Sequence, residues 1–326
     1  GLVPSTTAIG AAAPLILVAM RLLQGVAVGG EWAGSALLSA EYAPAAKRGR
    51  YGMFTPLGTG AGTTLAGLTF LGVNYAIGEH SPGFLQWGWR LPFLISAALI
   101  GVGLYVRLHI EETPVFAEEK ARHSVPQAPL AELLRQQRRK VALAAGSIIG
   151  CYTYTFIGSA YLATYAHTHL EYSRNVVLCV GVLGGLTSMA FTAFSAALCD
   201  RVGRRRLMLV GWTACLPWSF LAIPLMDTGK PIWYAAAVVG VHTAAGIGWG
   251  PVPTFIPELF PTRYRYSGSA LATNLAGVAT GAVPPLITGP LQASYDSWAT
   301  GLMLAVVMLV SLVCSYLLPE TNGTAL

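Results

Sequence analysis

Nine apolar runs of 20 or more residues occupy more than half of this 326-residue sequence and limit what it can fold into. A helix rises ~1.5 Å per residue, so ~20 apolar residues cross the ~30 Å hydrocarbon core of a bilayer. Only 10% of the residues are charged, against about 25% in soluble domains. We therefore predict an all-α polytopic membrane protein, which excludes a soluble enzyme, a disordered chain and a nucleic-acid-binding protein. The predicted spans are 14–40, 52–77, 89–109, 140–166, 175–199, 206–226, 231–256, 266–290 and 297–318.

The basic residues are distributed unevenly between the two sides of these spans. Sixteen of the twenty lysines and arginines fall in the connections that follow the first, third, fifth and seventh spans. The positive-inside rule places these connections in the cytoplasm, so we expect the N-terminus of this chain outside and the C-terminus inside. The net charge of +6 then reflects membrane topology rather than a nucleic-acid partner.

A short repeat divides the chain into halves. The segment from Glu41 to Arg48, after the first span, and the segment from Glu258 to Arg265, after the seventh, both read Glu-x-x-Pro-x-x-x-Arg. A second, shorter similarity relates Glu112-Thr113-Pro114 to Pro319-Glu320-Thr321. Duplicated halves predict six spans each, of which the first half shows only three. The predicted divisions are an incomplete N-terminal half at 1–109, a cytoplasmic linker at 110–139 and a six-helix C-terminal bundle at 140–326.

Several motifs resemble signatures of the major facilitator superfamily. Arg21-Leu-Leu-Gln24-Gly25 is similar to the signature of its fourth helix, and the segment Asp200-Arg201-Val-Gly203-Arg204-Arg205 is similar to its loop signature between helices eight and nine. Further segments resemble the metabolite:proton symporter branch, which carries organic acids and zwitterionic osmolytes such as proline and betaine. These segments are Gly29-Gly30-Glu31-Trp32, Gly88-Trp89-Arg90-Leu91-Pro92-Phe93, Glu112-Thr113-Pro114-Val115-Phe116 and the stretch from Glu258 to Gly268.

The resemblance covers essentially the whole chain and aligns it with helices four to twelve of the superfamily. It implies major-facilitator-like helical bundles with about nine transmembrane helices present of an expected twelve, the first three being absent. We accordingly expect the sequence to be a fragment of a longer transporter, which the resemblance implies to be a monomer when complete.

Arg21, Glu31 and His242 are the ionisable residues that lie well inside predicted spans. A charge at the bilayer centre costs about 2.5–3.5 kcal/mol on insertion scales, so such residues usually carry a function. We expect Arg21, near Gln24, to attract a substrate carboxylate. We expect Glu31 and His242 to exchange a proton, since burial disfavours the charged form of a carboxyl and an imidazole titrates near neutral pH. The alternatives are a snorkelling arginine, an interhelical hydrogen bond from the glutamate and a histidine satisfied within the core.

Tyr154, Tyr161 and Tyr165 recur at helical spacing along the fourth predicted span. We predict that this stripe faces a water-filled substrate cavity, because lipid disfavours so many hydroxyl groups. Helix packing combined with an aromatic belt at the membrane surface is the alternative. Trp249 and Asn274 are weaker cavity candidates, the latter as a buried amide that needs hydrogen-bond partners.

Charged residues at the cytoplasmic ends of the spans form a candidate gate. Ion pairs among them would keep the inner face closed and would break when that face opens. A basic loop that only sets topology is the alternative. The internal repeat predicts an equivalent half-gate before the linker, whose partner loop is missing, so we expect that half-gate to be unpaired. The predicted gate residues are Glu41, Arg48, Asp200, Arg201, Gly203, Arg204, Glu258, Arg263 and Arg265.

These features predict a secondary active transporter, not an enzyme, that imports a small polar metabolite by proton symport with alternating access. The expected partners are a small-molecule substrate and the lipid bilayer of the cell (inner) membrane, without nucleic acid. The five cysteines show no metal-ligand spacing, so we expect no metal and no cofactor besides the coupling proton. Two alternatives stay open, a proton-independent uniporter or exchanger and a non-transporting membrane sensor or partner subunit.

Overall fold

The computed structural model describes residues 2–4, 6–78, 81–109 and 129–323, and these residues form helices without any strand. Most of the predicted linker, 110–128, lies outside the described residues. The eight long helices are α1 (Ala12–Glu41), α2 (Phe54–Ile77), α3 (Leu91–His109), α4 (Pro129–Phe156), α5 (Arg174–Val202), α6 (Arg204–Met226), α7 (Pro231–Trp249) and α8 (Thr262–Leu317). Shorter helical segments lie at Thr6–Ile9, Ala45–Lys47, Arg48–Gly52, Pro82–Gln86, Gly88–Arg90, Ile157–Tyr161, Leu162–Thr168 and Val252–Glu258.

Eight stretches within the described residues are long and apolar enough to cross a membrane. They correspond to every predicted span except the second. That span does form a helix, α2, whose 24 residues match the thickness of a bilayer. Its five glycines and five threonines lower its hydropathy, so this helix is less apolar than the other eight stretches.

Helical structure begins within the predicted linker, because α4 starts at Pro129 and bends at Gln137, where φ is −123°. The last helix, α8, contains two membrane-length stretches, Thr262–Leu291 and Ser297–Leu317, which match the predicted spans 266–290 and 297–318. A straight helix of this length would separate its ends by ~84 Å. Arg204 contacts both Glu258, before α8, and Asn322, after it, so the chain reverses its direction between the two stretches.

The buried core lies among the helices that follow the linker, between Leu133 and Leu318. Along α8, Ser311 Oγ donates to the carbonyl of Gly146 on α4 at 2.8 Å and accepts from the amide of Gly150 at 2.7 Å. Hydrogen bonds between membrane helices contribute only about 0.6 kcal/mol on average, so close packing carries most of the stability of this pair.

The helices on the two sides of the linker meet mainly where α2 packs along α5. At one end of this pair, Asn74 Nδ2 donates to Asn175 Oδ1 at 3.3 Å. At the other end, the amide of Gly49, just before α2, donates to Asp200 Oδ1 at 2.8 Å. We call this second end the basic end, because it carries the basic residues of 47–50, 201–206 and 263–265.

Candidate functional site

A small cavity lies between α4, α5 and α7. Its volume is about 20 Å³, which is enough for about one water molecule. Three of the predicted site residues border this cavity: Tyr154 on α4, and His242 and Trp249 on α7. The lining residues are Tyr154, Thr155, Ser188, Val241, His242, Ala245, Gly246 and Trp249.

His242 is half-buried beside this cavity. Its Nδ1 lies 2.8 Å from the carbonyl oxygen of Val238. Because a carbonyl only accepts, Nδ1 carries the hydrogen, and Nε2 is the atom at which the ring can take up a further proton. A Cβ at Gly158 would lie 2.8 Å from His242 Cε1, so the imidazole occupies space that only a glycine leaves free.

The predicted tyrosine stripe does not present its hydroxyl groups to one cavity. The Tyr154 hydroxyl is bonded to α6, donating to the carbonyl of Cys215 at 2.6 Å and pairing with Ser219. The Tyr165 hydroxyl donates to Asp227 Oδ1 at 2.6 Å. The ring of Tyr161 stacks on that of Tyr165, with centroids 6.3 Å apart. A π-helical turn at 157–161 interrupts the regular helical repeat, so the three tyrosines do not keep the alignment of a continuous α-helix.

Trp249 joins the cavity to the helices before the linker. Its ring stacks on Trp32 of α1 with centroids 6.0 Å apart, and Tyr152 meets it edge-on at 5.3 Å. Asn274 also contacts α1, since its Nδ2 donates to the carbonyl of Gly29. Asn274 is exposed, so the prediction of a buried amide is wrong, although the amide does find partners.

The predicted residues on α1 lie away from the cavity lining. Arg21 and Gln24 are exposed, and the Arg21 guanidinium donates to Gln24 Oε1 at 3.0 Å. Glu31 is exposed too, and it makes no hydrogen bond or ion pair with the residues that the structure describes. The expectation that α1 buries these side chains is therefore not met within the described part of the chain.

At the basic end, α5 and α6 are joined at Gly203, whose φ of +109° favours glycine. A Cβ there would lie 2.7 Å from Glu320 Oε2. The Glu320 carboxylate accepts from the backbone amide of Arg204 at 2.9 Å and from that of Arg205 at 3.1 Å. It thus caps the first turn of α6, where a negative charge is favoured.

Arg204 is the centre of a buried charge cluster. Its Nε lies 2.8 Å from Glu258 Oε2, and the two side chains are only 3% and 1% exposed. It also contacts Asp200 Oδ1 at 3.4 Å and donates to Asn322 Oδ1 at 2.7 Å. Two carboxylates therefore share one guanidinium in a place from which water is largely excluded.

Asp200 connects this cluster to the helices before the linker. Its carboxylate accepts from the amides of Gly49 at 2.8 Å and Arg50 at 3.3 Å, in the connection between α1 and α2. Arg48 interacts electrostatically with Glu258. The prediction that the half-gate before the linker is unpaired is consequently wrong for Arg48, because the second half supplies its partner.

The other predicted gate residues are Arg201, Glu41, Arg263 and Arg265. Arg201 is exposed, and Glu41 is half-buried without a contact to the cluster. Arg263 pairs with Glu132 at the start of α4, and Arg265 is buried on α8.

Glu320 and Asn322 are missing from the predicted gate. Both are far from Asp200 and Arg204 in sequence, and only the fold brings them together. The signal that pointed to this segment was the repeat of Glu112-Thr113-Pro114 at Pro319-Glu320-Thr321, which we used for the division into halves and not for the site.

Comparison with known proteins identifies the family. The model of the Major Facilitator Superfamily matches residues 1–285. The inner membrane metabolite transport protein YhjE of Escherichia coli strain K12 is 35% identical over 331 residues, which cover 100% of this chain and 75% of YhjE. The proline/betaine transporter of the same strain is 29% identical over 337 residues, covering 100% of this chain and 67% of that transporter.

A solved structure supports the same fold. The proton:xylose symporter XylE, bound to 6-bromo-6-deoxy-D-glucose, superimposes with a TM-score of 0.69 at 19% identity, covering 90% of this chain and 68% of XylE. Family membership and apolar helices together make the chain a multi-pass membrane protein. The chain belongs to the Major Facilitator Superfamily and is a transporter rather than an enzyme.

Proposed function

We propose that this protein imports a small polar metabolite, an organic acid or a zwitterionic osmolyte, together with a proton. The observation that carries the proposal is the cavity beside His242, which α4, α5 and α7 line and which α1 approaches through the stacking of Trp32 on Trp249. Secondary transporters bind substrate near the middle of the membrane, at the interface of two bundles that rock about the site. The names of the related metabolite and proline/betaine transporters support this substrate class.

Proton coupling is assigned to His242 and Glu31. His242 offers Nε2 for a proton beside the cavity, since its Nδ1 is occupied by Val238. Glu31 precedes Trp32, whose ring stacks on Trp249 at the cavity. Protonation of His242 would change the charge next to the cavity, and protonation of Glu31 would change the charge beside the Trp32–Trp249 stack. A protein that binds substrate and proton together couples their movements. Arg21 would favour a substrate that carries a carboxylate.

The basic end acts as the gate in this proposal. Asp200 reaches the amides of Gly49 and Arg50 across the two halves, and the pair of Arg204 with Glu258 keeps Asp200 in place. Release of the Gly49 connection would open this end, while a separate contact between Asn74 and Asn175 lies at the other end. Exchange between two such sets of contacts is the physical basis of alternating access.

We assign the basic end to the cytoplasm by the positive-inside rule, which places the start of this chain outside and its end inside. The inner membrane is the proposed location, in keeping with the name of YhjE. The proposed protein works as a monomer, without a metal or cofactor besides the proton.

The test is uptake by proteoliposomes containing the purified protein, with labelled betaine, proline and dicarboxylates as candidate substrates. An inward pH gradient is expected to drive accumulation of one of them, and a protonophore is expected to abolish it. Uptake that ignores the pH gradient would favour a uniporter or exchanger instead. Absence of uptake for every candidate would contradict the assigned substrate class.

Matched substitutions test the two proton sites. His242→Asn and Glu31→Gln are each expected to reduce proton-driven accumulation at least tenfold. Exchange of substrate across the membrane in the absence of a pH gradient should remain measurable in both variants. His109→Asn is the control for the histidine, because His109 Nδ1 also lies 2.8 Å from the carbonyl four residues earlier but is exposed on α3. Glu171→Gln is the control for the glutamate, in an exposed connection. Equal effects in variant and control would refute the coupling roles.

A further inference from the structure

A basic groove lies on the surface where the start of α4 meets the end of α8. Its volume is about 380 Å³, within the about 300–1,000 Å³ typical of ligand pockets. The lining residues include the cations Arg135, Arg138, Arg139 and Lys140 and the apolar residue Leu143 from α4, and Leu317 from the end of α8. The groove thus combines four cations with an apolar surface, and it is separate from the cavity beside His242.

The groove lies where the polar surface of the protein changes to the apolar one. α4 bends at Gln137, so that Arg135 and Arg138 belong to segments of different direction on either side of the bend. Lys140 is the last charged residue before the apolar stretch of α4, and Leu317 is the last residue of α8. At this depth, long basic side chains reach the phosphate level of a bilayer while their stems contact acyl chains.

The four cations of the groove are not neutralised by the described part of the protein. Arg135, Arg138 and Arg139 are exposed and Lys140 is half-buried, and none of them forms a hydrogen bond or ion pair with residues that the structure describes. Other arginines at the basic end differ in this respect. Arg205, for example, donates to the carbonyl of Leu318 at 2.9 Å. Its positive charge there also offsets the partial negative charge at the C-terminal end of α8, next to the groove.

We propose that this groove binds the headgroup of an anionic phospholipid from the leaflet at the basic end. A guanidinium fork matches a phosphate in a bidentate manner, and the bend supplies arginines from two directions. Basic pockets between transmembrane helices are known to bind phosphate headgroups of membrane lipids. The apolar surface at Leu143 and Leu317 would contact the acyl chains, which a free phosphate ion does not have.

The experiment measures lipid retained by the purified full chain. The protein is exchanged from phosphatidylglycerol/phosphatidylcholine vesicles into detergent, and the number of bound lipids of each kind is counted by native mass spectrometry across a phosphatidylglycerol titration. We expect the double variant Arg138→Gln/Arg139→Gln to bind phosphatidylglycerol about thirtyfold more weakly, at about 1 kcal/mol for each basic residue near the surface. Arg138→Lys/Arg139→Lys is expected to bind more tightly than the double glutamine variant but more weakly than the unaltered protein, because lysine keeps the charge and loses the bidentate fork.

The matched control removes two other basic residues from the same end. Lys47→Gln/Arg206→Gln changes the net charge equally, both residues are exposed, and neither lines the groove. We expect the control to reduce binding by less than threefold. Equal losses in both double variants would overturn the groove and indicate a diffuse charge effect. Equal retention of phosphatidylcholine, or displacement of the lipid by millimolar inorganic phosphate, would overturn the assignment to an anionic lipid.

Discussion

Asp200→Asn is expected to weaken closure of the basic end. The carboxylate accepts two backbone amides from the connection between α1 and α2, at 2.8 Å from Gly49 and 3.3 Å from Arg50. A hydrogen bond to a charged group contributes about 1.5–3 kcal/mol. The contact with Arg50 is long, and asparagine keeps one acceptor oxygen. We therefore expect the substitution to destabilise the closed state by about 2–3 kcal/mol and to leave the open state unaffected. The ratio of open to closed molecules should then rise by about 30- to 150-fold.

The rate of thiol labelling at Thr254→Cys can measure this change in the ratio of open to closed molecules. The labelled protein keeps Cys215, and its other native cysteines are replaced. Thr254 is fully buried and its methyl group lies against Gly52, so opening of the basic end uncovers it. Cys215 is also fully buried, but it lies on α6 within the second set of helices and reports unfolding. Asp200→Asn should accelerate labelling at position 254 by at least tenfold and leave labelling of Cys215 unchanged.

Glu132→Gln serves as the matched control for this prediction. Glu132 also pairs with an arginine at the basic end, but the two side chains are 35% and 41% exposed, and water screens such exposed pairs. Labelling at position 254 should therefore be nearly unchanged in this variant. If Asp200→Asn labels no faster than Glu132→Gln, the contact between Asp200 and the Gly49 segment does not keep the end closed, and the proposed gate is refuted.

Two further substitutions test the packing that supports the site. Gly203→Ala should lower the unfolding temperature more than Gly229→Ala, because both glycines have positive φ but only the first would place a Cβ against Glu320. The shared cost of positive φ is about 1–2 kcal/mol, and equal shifts in the two variants would argue against the Glu320 contact. Ser311→Ala should reduce the free energy of unfolding by only about 1 kcal/mol, since hydrogen bonds between membrane helices are weak. A loss above about 3 kcal/mol in a denaturation series would contradict that view.

Most of the helix pattern follows from the sequence alone. The predicted spans at 14–40 and 206–226 agree with α1 and α6 to within two residues at each end. Such ends are local, since they depend on charged residues, caps and glycine near the membrane surface. The separation of the last two spans is also visible locally, because the polar residues of 291–297 lie between two apolar stretches.

The gate was partly visible in the sequence. The tight turn from Asp200 to Arg204 could be recognised because its charges and Gly203 are neighbours along the chain. Glu320 could not be assigned to it, since its carboxylate is separated by 116 positions from the Arg204 amide that it caps. No periodicity or composition carries that information.

The sequence by itself therefore determined the membrane location, the helical class and the resemblance to a transporter family, because partition into lipid and helix formation depend on local composition. Only the tertiary structure decided which polar groups meet. It turned Tyr154 toward Cys215 and Tyr165 toward Asp227, and it joined Asp200 to Gly49. The physical reason is that a buried polar group takes its partner from whichever helix packs against it, and that helix is set by the whole fold.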